Sequence, residues 1–128
     1  MEILFYTKEG KTSVLELSES FYKWLALSEF SKIQTSRKFT LKVDEEEVLI
    51  NAIELNEQTR LLYISFFQKC ILKESYDLVK KMEINAKPGL LKASSSEGSL
   101  ENLQYRIKKF YEFLQHIEDI SNLYMEYI

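Results

Sequence analysis

At 128 residues the chain has the length of one domain, and 45% apolar with 13% aromatic residues supplies a real core and argues against disorder. Three glycines and one proline are too few for the many tight turns of an all-β fold, which favours long helices. A net charge of −3 names no partner by itself. Its distribution is uneven, because Asp44, Glu45, Glu46, Glu47, Glu54 and Glu57 share a stretch without a single basic residue.

In chain order, residues 2–7 alternate as a strand does, Lys8-Glu9-Gly10-Lys11 supplies a turn, and residues 12–17 return, which predicts a β-hairpin. Ser18 or Ser20 then caps a helix with Phe21, Trp24, Leu25 and Phe30 on its inner face. Phe39, Leu41 and Val43, two apart between polar neighbours, predict a third strand over 37–43. Asp44 next reads as a helix cap, with Glu47 at the capping-box position and Glu45 and Glu46 at the positive end of the dipole.

From 44 to 83 no glycine or proline interrupts the chain, and an apolar arc runs from Leu49, Ala52 and Ile53 through Tyr63, Phe67 and Cys70 to Leu78 and Met82. Asn56, Thr59 and Arg60 intrude on it. One straight helix of that length would span about 60 Å, so two helices broken near 56–59 are slightly favoured, while a continuous polar face keeps the single helix open. Residues 84–98 form a loop holding the proline and two glycines. A C-terminal helix over 99–128 then carries a heptad stripe of Leu100, Leu103, Ile107, Phe110, Leu114, Ile117, Ser121, Tyr124 and Ile128. The expected fold is α+β, mostly helical: an N-terminal β-hairpin, a helix and a third strand packed on a long antiparallel helical pair, in a single domain 1–128.

The residues that carry chemistry are sparse. His116 is the only histidine, with Glu112 and Asp119 a turn to either side, and it takes a heptad position away from the stripe, which predicts an exposed helical histidine and no metal site. Cys70, on the apolar arc, predicts a buried and inert thiol. Three scattered glycines make no phosphate loop; the basic end of the hairpin, with Lys87, Lys92 and Arg106, is the best anion site the chain offers, and a solvated helix face is the better reading of it. Tyr6, Tyr22, Tyr105, Tyr111, Tyr124 and Tyr127 are the tyrosines expected to be part exposed, as core edge or as interface.

No catalytic, cofactor or metal-binding residues are assigned. The leading expectation is a non-enzymatic cytoplasmic protein-binding module, an inhibitor that masks a basic partner site through Glu46, Glu47, Glu54 and Glu57. In general character such a chain resembles the small immunity proteins that neutralise bacterial toxins, where acidity often opposes a nuclease; the likeness is one of type, and no motif carries it. The lone cysteine and an N-terminus with only a four-residue apolar run are what point to the cytoplasm. The expected partner is a protein with a basic surface, not nucleic acid and not a membrane. The alternative is a helical homo-oligomeric scaffold, at least a homodimer, associating through the C-terminal heptads.

Overall fold

The computed structural model describes residues 1–86 and 100–127. Nine elements follow in order: β1 (Glu2–Thr7), β2 (Thr12–Glu16), α1 (Glu19–Leu27), α2 (Phe30–Ile33), β3 (Arg37–Val43), β4 (Glu46–Glu54), α3 (Glu57–Ala86), α4 (Leu100–Glu118) and β5 (Asn122–Tyr127). The fold is α+β. Its five strands are antiparallel in the order β2-β1-β5-β4-β3, and α3 packs on α4. Glu74 meets Arg106 and Arg60 meets Ile117, so those two helices run in opposite directions. No helix among the described residues is long and apolar enough to cross a membrane.

The N-terminal elements form where their residues predict. Ile3 and Phe5 alternate into the core, and Gly10, at φ +81, closes the β1–β2 turn. The Ser18 side chain accepts from the Phe21 backbone N–H and caps α1, whose buried residues are Phe21 and Leu25. Phe30 belongs instead to the short α2, where it is almost fully buried against Tyr63, Phe67 and Phe113. Aromatic residues from α2, α3 and α4 thus make the centre of the helix-side core.

Two segments depart from the expected fold. Asp44 caps no helix: Asp44 and Glu45 are the two-residue loop of a β3–β4 hairpin, with φ 51 and 67, and residues 46–54 are strand. The helix starts at Glu57, so the suspected break near 56–59 is its beginning. There the Asn56 side chain accepts from the Thr59 backbone N–H at 2.9 Å, and the Thr59 hydroxyl donates to the Glu54 carbonyl at 2.7 Å. The polar residues that interrupted the apolar arc are this cap. Helix α3 then runs 30 residues, through the first positions of the expected loop, to Ala86. Residues 87–98 of that loop lie outside the described residues.

The C-terminal helix is also shorter than its heptads. It ends at Glu118, and residues 122–127 form β5, the central strand of the sheet. The last carbonyls of α4 find partners that further helix would have supplied. The Arg60 guanidinium donates to the carbonyls of Ile117, Asp119 (3.1 Å), Leu55 (2.8 Å) and Asn122 (2.8 Å). The Asn122 side chain donates to the His116 carbonyl, and Asp119 accepts from the backbone and hydroxyl of Ser121. Arg60 thereby ties the end of α4 and the start of β5 to the β4–α3 junction.

The sheet has two buried faces. One lies under the helices. On the other, Leu41, Ile50 and Ala52 form a second small core with Tyr6, Phe39, Val43 and Tyr124. β4 pairs with β5 only at Ile53 and Glu54, and the rest of the β3–β4 hairpin lies over this face. Its far end reaches the β1–β2 turn, for Val43 touches the space where a side chain at Gly10 would stand. In a flat sheet, β1 and β3 would be about 14 Å apart, three strand spacings.

Candidate functional site

The folded-over hairpin decides where the acidic segment goes. Asp44, Glu45, Glu46 and Glu47 stand together at its tip, all exposed, followed by exposed Val48 and Leu49. Lys42 is across the ladder from Glu47 and Val43 from Glu46. No ion pair engages any of these four carboxylates among the described residues. The turn itself is unusual, since a two-residue loop with both φ positive suits Asn-Gly or Asp-Gly, and here a glutamate holds the glycine position.

Of the four glutamates expected to act together, the structure keeps two. Glu46 and Glu47 are neighbours at the tip but point to opposite faces of the strand. Glu54 sits eight residues along β4, about 26 Å away at the usual rise, and is paired with Arg37 at 3.2 Å. Glu57 lies in the first turn of α3, where it faces the positive end of the helix. On a helix the four would have shared one side; strand geometry separates them. Asp44 and Glu45, which the sequence assigned to capping, take the vacated places in the patch.

The other candidates are absorbed by the fold. His116 is half-buried rather than exposed, stacked on Phe5 at 4.6 Å with Ser13 Oγ 3.2 Å from its Nδ1. Burial pushes its pKa down, against a smaller upward pull from the carboxylates of Glu112 and Asp119. It lines an open polar recess with Val14, Glu16, Lys109 and Glu112. Glu112 there is held by Lys109 at 2.9 Å and Asp119 by Ser121, so neither orients the imidazole as a base. Among the described residues no three His, Cys, Asp or Glu are placed to hold a metal. Only the tertiary contact with β2 reveals the Ser13–His116 pair, since the two are 103 residues apart.

Cys70 is half-buried, and its thiol is pushed up to about 11 by burial, with Glu74 adding to the rise and Arg106 and Lys73 opposing it. A thiol so held stays protonated at neutral pH and is a weak nucleophile. Arg106, expected near an anion-binding loop, is instead spent inside: it lies 3.2 Å from the nearly buried Glu74 and 4.4 Å over the Trp24 ring. Lys87 and Lys92 are outside the described residues. Among the tyrosines, Tyr6 is pushed up to about 12 by burial, to which its hydrogen bond to Glu126 at 2.7 Å adds. Tyr105 accepts from the Ser18 backbone N–H, and Tyr22 and Tyr127 pack against the main core. Tyr124 belongs to the second core, and Tyr111 is exposed.

The C-terminal heptad positions Leu103, Phe110, Leu114 and Ile117 are buried inside the single chain. Compared with known proteins, the chain matches no family model, no curated protein and no solved structure.

Proposed function

We propose that the protein is a non-enzymatic cytoplasmic binding module that docks through its β3–β4 hairpin onto a protein with a basic surface, in the manner of a small inhibitor. The observation that carries this reading is the tip: four consecutive exposed carboxylates, none ion-paired among the described residues, beside exposed Val48 and Leu49. Backbone packing of the hairpin over the second core fixes that arm, so the carboxylates are held in place before a partner arrives. The Glu45 side chain also occupies a backbone conformation in which glycine would be less strained, an arrangement that favours a role for the carboxylate over a role in the turn. Complementary charge of this kind speeds encounter and sets orientation, and the apolar pair supplies contact area.

The test is a variant carrying Glu45→Lys, Glu46→Lys and Glu47→Lys, compared with the natural chain for capture of partners from lysate and for thermal melting. The expected result is a stoichiometric partner that binds the natural chain, weakens as salt rises, and is lost at least tenfold in the variant at an unchanged melting temperature. A partner retained by the variant overturns the reading.

A further inference from the structure

Helix α3 carries large apolar side chains on the side opposite its core side, interspersed with Ser65, Gln68, Lys69 and Glu83. The side with Tyr63 and Phe67 faces the core. At about 100° per residue, Leu61, Leu72 and Val79 fall along one line on the other side, with Tyr76 and Leu62 to its left and Met82 to its right. These six side chains are exposed by 61, 75, 54, 62, 48 and 54% respectively.

We infer that this stripe is the seam of a symmetric homodimer, in which α3 of one copy packs antiparallel against α3 of another. The area fits. The six side chains offer on the order of 600 Å² of surface, at the upper end of what a monomer ordinarily leaves in one apolar patch and about three quarters of the roughly 800 Å² per partner of a stable interface. The order of residues is suited to a two-fold axis at Leu72, the most exposed of the six and near the middle of the stripe. About that axis Leu72 meets its own copy, Val79 meets the small Ser65, and the Tyr76 hydroxyl comes level with the Gln68 amide. Val79 therefore finds room beside Ser65, as a knob needs a hole, and Leu61 comes level with the long Glu83.

Lys69 stands between Tyr76 and Leu62 on one side of the stripe and Lys73 just beyond it, and the two-fold axis brings both copies' lysines to the same side. Their repulsion is screened by ions, so the dimer tightens with added salt, opposite to the behaviour of the acidic tip toward a basic partner. The stripe faces away from the sheet, while the β3–β4 hairpin covers the sheet's other face. Dimerisation through α3 leaves both tips free.

Sedimentation equilibrium of the full chain tests this directly. Expected is a dimer at tens of micromolar that becomes monomeric in Leu72→Glu and in Val79→Glu, each with an unchanged circular dichroism spectrum because both positions are exposed. In a Cys70→Ser background, Leu72→Cys is expected to oxidise to a covalent dimer across the axis. A natural chain that stays monomeric at about 200 μM overturns the inference, as does a dimer that survives both glutamate substitutions or fails to cross-link at position 72.

Discussion

The β1–β2 and β3–β4 hairpins are both antiparallel and meet where Gly10 touches Val43, yet they are built in different ways. The first turns on a glycine whose positive φ is unstrained and sends Ile3, Phe5 and Leu15 into the helix-side core. The second turns on Asp-Glu in the left-handed region, buries Leu41 and Ile50 in a core of its own, and projects exposed charge. Turn chemistry that agrees with the backbone belongs to the hairpin that founds the fold. Turn chemistry that disagrees with it belongs to the one proposed to bind. Local strain of that kind needs support from elsewhere, and the second core is the support.

Breaking the junction between the two hairpins carries the largest expected effect. Gly10→Ala places a side chain at positive φ and into Val43, and is expected to lower stability by about 2–3 kcal/mol, read by denaturant unfolding. A loss below about 0.5 kcal/mol would mean that the hairpins are not packed together. Relieving the second turn sharpens the contrast. Glu45→Gly is expected to raise stability by about 0.5–1 kcal/mol, and to weaken partner capture although the fold is firmer. Equal or lower stability in that variant would remove strain from the comparison.

The smallest effect concerns how the first hairpin is held to α4. Burial keeps His116 below its ordinary value of 6.5, so the folded protein favours the neutral ring and the unfolded chain takes up a proton first. Stability from this group is complete above pH 6.5 and declines as pH falls from there toward the folded value. Melting curves between pH 7 and 5 are expected to show that decline, and His116→Gln to flatten it. An identical slope in the variant would assign it to other groups.

What could be read along the chain and what could not divides by how many faces of an element are covered. β1, β2, α1 and β3 were legible because a turn glycine, a serine cap or a clean two-residue alternation marks each of them. β4 and β5 were not. Ile50 and Ala52 of β4 go to the second core while Ile53 and Leu55 go to the first, and Tyr124 and Met125 of β5 divide in the same way. A strand buried on both faces loses the apolar–polar contrast that announces it. Its residues then extend the neighbouring helical period by default, and the four carboxylates after Val43 pass for a helix start. The acidic segment shared this fate: 44–57 reads as one cluster at a helix start, and the strand separates Glu54 and Glu57 from Glu46 and Glu47.

The sequence by itself determined the fold class, the first hairpin, the cap of α1, the apolar stripe of α4 and the concentration of charge in 44–57, because each depends on neighbours within a turn or two. Tertiary structure alone decided that residues 122–127 leave α4 to become the central strand. Carbonyls at the end of a helix accept any donor that reaches them, and Arg60, distant in sequence, reaches those of Ile117 and Asp119 together with that of Asn122 at the start of β5. It also decided that Leu61, Leu72, Tyr76 and Val79 of α3 stand exposed, since which side of a helix meets the core depends on where the other elements already lie.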